Sequence, residues 1–280
     1  PQPRPAPPPA KADTVKSPPA IVKGIARLLM SVRSINGTYS LTEGTILPGF
    51  AQTPKFFGMD KEWQAPGWGF VTGSQDPNVR FKAAERGWLA KSPSLTLPFT
   101  QSRNESLTLR ASVEPSSDFK IQLDVKKEET NTYQEIFRYD ASDGGFDVIN
   151  PSRGGSYRIS FLSIRTAFDR TNGKLESNVF KRFEENIEVM KTRFTSFAGT
   201  SFETLSQDVV IPAFIAAYSG SDPNSISLSP FPRTPLPNWR VDYTGLSKIQ
   251  ALKDVFQSLT ISHAYQSASS ILHYSNSLAN

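Results

Sequence analysis

The chain lacks cysteine altogether and has only two histidines among its 280 residues. The first absence excludes a disulfide framework, a thiol nucleophile and a metal site ligated by cysteine. His263 and His273 are ten residues apart, so both would lie on one face of a single unbroken strand. Because no spaced cluster of Asp or Glu accompanies them, we predict no metal site.

Long apolar runs are missing as well. The longest covers residues 209–218, and Pro212 interrupts it. A helix that spans a bilayer needs about 20 predominantly apolar residues, so transmembrane helices are excluded. A transmembrane β-barrel is not excluded, because its strands are only half apolar and are compatible with the mean hydropathy of −0.36.

Catalytic signatures are the third absence. The sequence contains no GxSxG, HExxH or P-loop pattern. The acidic pairs at 128–129 and 184–185 are neighbours in sequence and point to different faces, which favours solvated positions over an acid–base couple. We therefore predict that the protein is not an enzyme and binds no cofactor. The net charge of +5 comes from scattered basic residues, which argues against a nucleic-acid partner.

What is present is a long alternation of apolar and polar residues over 107–125, LTLRASVEPSSDFKIQLDV. This period indicates two β-strands, and the break at 115–118 indicates the turn of a hairpin. One face of the hairpin carries Leu107, Leu109, Val113, Phe119, Ile121, Leu123 and Val125. The other face carries Thr108, Arg110, Ser112, Lys120, Gln122 and Asp124. Alternation alone does not decide whether the apolar face meets lipid or a protein core.

Two segments read as irregular. Residues 1–24 begin with eight prolines in the first twenty positions and predict a proline-rich linker or tail. Residues 45–90 form a long loop punctuated by proline and glycine, with its own aromatic packing, and long ordered loops are usually functional. The aromatic residues that we regard as a possible partner or plug surface are Phe56, Phe57, Trp63, Trp68 and Phe70.

Further strands are predicted over 27–44, with a possible break at 36–37, and over 133–139, 157–168 and 259–265. A turn at 151–155 is expected before the third of these. The spacing of apolar residues predicts an amphipathic helical insertion over 178–195. Shorter helices are expected over 211–218, with Pro212 in the first turn and Gly220 as the stop, and over 247–256. Within the proline-rich crossing 208–256, prolines at 230, 232, 235 and 237 argue against a central strand.

Several of these segments together resemble one family. They are GTILPGF (44–50), APGWGFVTGSQD (65–76), the stretch 98–121, YRISFLSIRTAF (157–168), DVVIPAFIAAYSG (208–220) and PFPRTPLPNWRVDYTGLSKIQALKDVFQSLTISHAYQS (230–267). The resemblance is to the C-terminal region of the SprA/Sov family, the outer-membrane translocon of the type IX secretion system of Bacteroidetes. It covers residues 25–280 and leaves the proline-rich head outside.

This resemblance implies a mainly β fold, a fragment of a large antiparallel transmembrane β-barrel with long loops and a few short helices. It implies a channel in the bacterial outer membrane that passes folded proteins to the cell surface and that the family links to gliding motility. The implied partners are lateral-gate and plug subunits of the same secretion system, cargo in transit, and the lipid and lipopolysaccharide of the membrane. Leu107 and its apolar companions would then face lipid, and Thr108 and its polar companions would face the lumen.

The start at Pro1, without Met or a signal sequence, and the small number of strands predict a chain cut from a longer polypeptide or a truncated relative. Two other interpretations stay open. A soluble secreted β-sandwich or adhesin would show the same alternation with the apolar face on a core. An unrelated porin-like barrel would show closely and regularly spaced strands, which the helices and prolines after residue 170 interrupt.

Overall fold

The computed structural model of the chain describes residues 30–169, 177–198, 203–229 and 231–277. The proline-rich head 1–24, the first three residues of the strand predicted over 27–44, and Pro230 lie outside the described residues. The fold is mainly β, with 39% strand and 24% helix. Its strands form one antiparallel sheet that is not closed.

The sheet has seven strands in the order β1-β2-β3-β4-β7, with β5 paired to β3 and β6 paired to β5. Their bounds are β1 Val32–Ile46, β2 Phe99–Ser116, β3 Phe119–Tyr139, β4 Phe146–Ser160, β5 Asn238–Tyr243, β6 Ile261–Tyr265 and β7 Ala268–Ser277. β2 and β3 are joined by the tight hairpin predicted at 115–118.

These seven strands occupy only five positions across the sheet. Residues 127–139 of β3 pair with β4, and residues 119–124 pair with β5 on the same edge. β4 and β5 are therefore two halves of one strand position, separated by the 77 residues that lie between Ser160 and Asn238. β7 and β6 are the corresponding halves of the next position, because they pair with β4 and β5 respectively.

The segment between β1 and β2, residues 47–98, folds into a unit that we call the cap. It contains a 3₁₀ turn at Phe56–Gly58 and two short helices, α1 (Trp68–Val71) and α2 (Val79–Glu85). Its core packs onto two strand residues, Phe99 and Phe137. The buried cap residues in this core are Ala65, Val79, Ala83, Trp88 and Leu89.

Residues 161–237, the helical insertion, carry α3 (Asn178–Ala198) and α4 (Gln207–Ser219). The two helices pack through a small core of their own, made of Ile187, Met190, Val209, Ala213 and Ala216. Its two ends are fixed to the sheet: the Leu236 N–H donates to the Ser160 carbonyl (3.0 Å), and the Phe161 N–H donates to the Ser267 carbonyl (3.1 Å). A 3₁₀ turn at Gly245–Lys248 and α5 (Gln250–Lys253) connect β5 to β6.

Several elements agree with the sequence pattern. α3 covers the predicted range 178–195 and continues for one more turn. Gly220 ends α4 in the left-handed conformation (φ 65°), as expected for a helix stop. The strand predicted over 27–44 is present as β1, but the break considered at 36–37 is absent, because both residues pair with β2.

The strand boundaries in the middle of the chain were predicted wrongly. The expected strands at 119–125 and 133–139 are one continuous strand, β3, since the polar residues between them are paired on both sides. The strand expected over 157–168 ends at Ser160 and begins before the expected turn at 151–155. That segment stays in the sheet because glycine permits close approach: a Cβ on Gly155 would lie 1.9 Å from the Thr130 carbonyl oxygen.

The proline-rich crossing also differs from its prediction. Within it, β5 is a central strand between β3 and β6, because the prolines all precede Asn238 and β5 itself contains none. α4 begins at Gln207, so Pro212 lies in its second turn instead of the first. The helix expected over 247–256 is split, because Ile249 adopts an extended conformation (φ −74°, ψ 122°). The final strand is interrupted at 266–267, so the two histidines do not share one unbroken strand.

Candidate functional site

The six residues predicted to face a lumen lie on one face of the sheet. Arg110 pairs directly with Asp124 across β2 and β3, and Ser112 pairs with Gln122. Thr108 and Lys120 occupy positions of the same parity on the two strands. Arg110 and Asp124 form an ion pair of 3.0 Å in which both side chains are more than half exposed. We call this surface the polar face.

The polar face extends beyond the hairpin to all five strand positions. One row across the sheet consists of Ser34, Ser112, Gln122, Arg240 and Ala264. Hydroxyl and amide side chains dominate it, and further charges on the face are paired: Lys126 with Glu128 (2.8 Å) and Arg240 with Asp242 (3.0 Å). The face is therefore wettable along its whole width and carries mostly compensated charge.

The seven residues predicted to face lipid lie together on the opposite face, which we call the apolar band. Leu109 pairs with Val125, and Val113 pairs with Ile121. The band is continued by neighbouring strands: Leu123 pairs with Trp239, whose ring stacks on Tyr265 at 4.5 Å. Leu107 and Phe119 mark its two ends along the strands. From Phe119 to Val125 the band covers six residue steps, or roughly 20 Å along the strand.

The apolar band is not buried by the elements that the structure describes. None of its seven side chains is buried, and Leu109 retains 39% of its surface exposed. On β1, next to the band, Ile35 and Tyr39 are exposed by 71% and 59%. A contiguous apolar surface of this kind marks a contact with lipid or with another protein.

The borders of the band are aromatic and charged. Phe119 packs edge-on against Tyr243 at the hairpin end (6.1 Å). At the other end the same face changes to charged side chains, where Lys127 contacts Glu105 (3.6 Å) and Glu129 (3.1 Å). This row limits the apolar surface in the direction of the cap.

The cap presents four of its five predicted aromatic residues to solvent. Phe56 and Phe57 are about three-quarters exposed, and Trp63 stacks on Trp68 with ring centroids 5.7 Å apart. Phe57 and Trp63 both have positive φ (54° and 60°), which only tertiary constraints maintain in side chains of this size. Phe70 differs, because it packs against the core of the cap.

A buried ion pair anchors the cap to the sheet and was not predicted. The Arg80 guanidinium in α2 donates to the Glu135 carboxylate of β3 (3.2 Å), and both residues are almost fully buried. Arg80 also lies over the rings of Phe81 and Phe99, at 4.4 and 5.0 Å. The sequence contains an indication of this ion pair: among the residues at alternate positions over 133–139, Glu135 is the one carboxylate, and the others are Tyr133, Phe137 and Tyr139. A charged side chain on an apolar face needs a partner of opposite charge.

A second polar contact holds the cap near β2. Lys82 donates to the Asp76 carboxylate (2.6 Å), and this hydrogen bond, with a second from the Asn78 N–H, lowers the pKa of Asp76. The Gln101 amide donates to the Asp76 carbonyl (3.0 Å) and ties this turn to the sheet.

Both lateral edges of the sheet are open in the part of the chain that the structure describes. β1 pairs only with β2, and on the other side β6 and β7 pair only with β5 and β4. Unpaired edges of this length are templates for further strands. None of the described helices is long and apolar enough to cross a membrane.

Comparison with protein-family models and with curated proteins gave no match for this chain.

Proposed function

We propose that this chain forms part of the wall of the type IX secretion translocon in the bacterial outer membrane, the channel that passes folded proteins to the cell surface and that its family links to gliding motility. The segments that resemble the SprA/Sov family support this assignment. The observation that carries the proposal is the pairing of an uncovered apolar band with a continuous polar face on the same strands.

The apolar band needs an environment other than water. Leu109, Val125, Ile121 and Leu123 are adjacent on one face, and burying such side chains removes an unfavourable contact with water. Lipid provides this without a second protein layer. Strands of outer-membrane barrels are tilted by about 35–45°, so roughly 20 Å along the strands gives about 15 Å of height, which lies within the apolar height of about 25 Å in such barrels. The aromatic pair Phe119 and Tyr243 stands where such barrels carry an aromatic girdle.

The polar face suits the wall of a wide aqueous conduit. Its charges are mostly paired with one another, as for Arg110 with Asp124 and Arg240 with Asp242. Paired charges attract a passing protein less than a field of one sign would. Folded cargo would therefore slide past most of this face without being retained.

The open edges and the exposed cap aromatics account for the proposed partners. Additional wall strands would pair with β1 and with β6 and β7, because unpaired backbone groups are not tolerated in lipid. The surface around Phe56, Phe57, Trp63 and Trp68 would contact a lateral-gate or plug subunit, since aromatic residues are enriched in protein interfaces. A soluble adhesin and a porin-like barrel are the competing functions, and both have distinct outcomes below.

The absence of cysteine makes the two faces directly testable. Gln122→Cys and Leu123→Cys, each labelled with a small fluorophore and reconstituted in lipid vesicles, differ by one residue and should report opposite environments. We expect lipid-bound nitroxide to quench the label at 123, and aqueous iodide to quench the label at 122. Protection of position 123 from both quenchers would show a protein core on the apolar side and would contradict the membrane placement.

Fractionation of the source cells tests the identity separately. An antibody against residues 220–245 should detect a band far heavier than 31 kDa in the outer-membrane fraction. A band near 31 kDa in a soluble fraction would support the adhesin instead. A band of that size in the outer membrane would support a small porin-like barrel.

A further inference from the structure

A cavity of about 410 Å³ opens on the polar face where β4 ends and β5 begins. The interruption of this strand position leaves space between β3 and the last two strands. Polar side chains from four strands and one connection surround it.

The cavity brings four cations together, and one of them has no ion-pair partner in the described residues. The cations that line it are Arg110, Lys126, Arg158 and Arg240. Three of them pair with the carboxylates of Asp124, Glu128 and Asp242. Arg158 has no ion-pair partner among the residues that the structure describes; it stands opposite Glu128, but Glu128 pairs with Lys126. The other three cations are held only by exposed ion pairs, which exchange readily for a new anionic partner.

Neutral groups complete the lining. Gln122, Asn238 and Gln266 contribute side-chain amides. The Asn238 side-chain oxygen accepts from the Ser267 N–H (2.8 Å), which fixes the orientation of the amide and leaves its NH₂ group as a donor. Amides beside guanidinium groups are suited to hydrogen-bond peptide groups next to a bound anion.

We propose that this cavity is a binding site for a carboxylate-bearing segment of a polypeptide, an acidic side chain or a chain end. It is the place on the polar face where a protein in contact with that face would be held instead of passing. The inference goes beyond the translocon proposal and does not rest on it, because it needs only the polar face and the strand interruption.

The size and lining of the cavity favour a peptide carboxylate over an isolated phosphate group. Asp124 repels either anion and the four cations attract either anion, so charge alone does not choose between them. The volume of about 410 Å³ and the amides around it fit a short stretch of peptide better than an isolated ion.

The test uses the full chain in detergent and a fluorescein-labelled tetraglutamate peptide at low ionic strength. We expect saturable binding that weakens as salt is added, and a loss of about fivefold or more in affinity for Arg158→Gln. Arg138→Gln is the matched control. It removes the same charge from the polar face of the neighbouring strand, β3, but ten residues from Glu128, the residue that pairs with Arg158, or about 33 Å along the strand.

Three results would overturn the proposal. If Arg158→Gln and Arg138→Gln weaken peptide binding equally, binding depends on the net charge of the protein and not on the cavity. Equal binding of tetraglutamine would show that carboxylates are not required. If inorganic phosphate competes as well as free glutamate, the site binds phosphate instead of a peptide carboxylate. In the expected case glutamate competes better, and Asp124→Asn strengthens the binding of phosphate more than that of glutamate, because it removes the repulsion between the Asp124 carboxylate and the doubly charged anion.

Discussion

The apolar face of β2 and β3 is buried by protein at one end of the strands and not at the other. Toward the cap, Phe99, Glu135 and Phe137 are buried under a folded loop. Toward the hairpin, Leu109 and Leu123 lie on the same face of the same strands, and neither is buried by the described residues. Alternation of apolar and polar residues therefore indicates that one face of a strand avoids water. It does not indicate whether protein or lipid covers that face.

The two arginine–carboxylate ion pairs near these ends also differ in burial. The Arg80–Glu135 pair is buried in the covered part, whereas the Arg110–Asp124 pair is more than half exposed on the opposite face. A buried pair is strongly coupled to the structure around it, and an exposed pair is not. The four predictions below use this contrast, beginning with the largest effect.

Glu135→Ala should destabilise the cap by about 3–5 kcal/mol, because it leaves the Arg80 guanidinium buried without its partner. Three of the four tryptophans, Trp63, Trp68 and Trp88, lie in the cap, so urea unfolding followed by tryptophan fluorescence should detect the loss. A change as small as that of an exposed pair would mean that the cap is not anchored through Glu135.

Leu123→Arg should destabilise the protein in lipid vesicles by about 2–4 kcal/mol, because it puts a charge near the middle of the apolar band. Leu109→Arg should behave alike. Gln122→Arg is the matched control, since it adds the same side chain one residue away on the polar face, and it should change little. Equal effects at 122 and 123 in equilibrium unfolding from vesicles would disprove the orientation of the hairpin.

Arg110→Ser should be tolerated, with a change below about 1 kcal/mol in the same unfolding assay, because Asp124 remains in contact with water when its partner is removed. This substitution also removes one partner of an arginine–carboxylate pair, but on the polar face, where both side chains are exposed. A loss comparable to that of Glu135→Ala would mean that the polar face is buried in the native assembly.

The period of two in 107–125 was sufficient to predict the hairpin and both of its faces, since Leu109 and Arg110 can only point to opposite sides of a strand. The same rule failed at residues 126–132. There both faces are polar, so β3 continues without an alternation to reveal it. Alternation of apolar and polar residues reveals a strand only where its two faces differ in polarity, and in this stretch neither face is apolar.

The division of one strand position into β4 and β5 could not be predicted either. The pairing of Asp124 with Asn238 joins residues more than a hundred positions apart, and no local signal encodes such a register. The cavity at the interruption depends on this pairing, so Arg158 and Arg240 could not be grouped from the sequence. Glu135 could have been identified, because it interrupts the run of aromatic residues from Tyr133 to Tyr139.

The smallest effect concerns pH and the edge of the cap. The pKa of Asp76 is lowered by the hydrogen bonds from Lys82 and from the Asn78 N–H, so the folded state holds this carboxylate ionised at lower pH than the unfolded chain does. The contribution is fully present above the unfolded pKa, near 3.9, and is lost as the pH falls through the folded value. We expect the urea midpoint of the cap to fall more steeply below about pH 4 in the native sequence than in Asp76→Asn. Because Lys82 is largely exposed, the difference should be small.

Lys82→Met should remove most of the same pH dependence while leaving the carboxylate in place. If both variants keep the slope of the native sequence, the acid sensitivity of the cap comes from another carboxylate, and the covered part of the face depends on Arg80 and Glu135 without support from this turn.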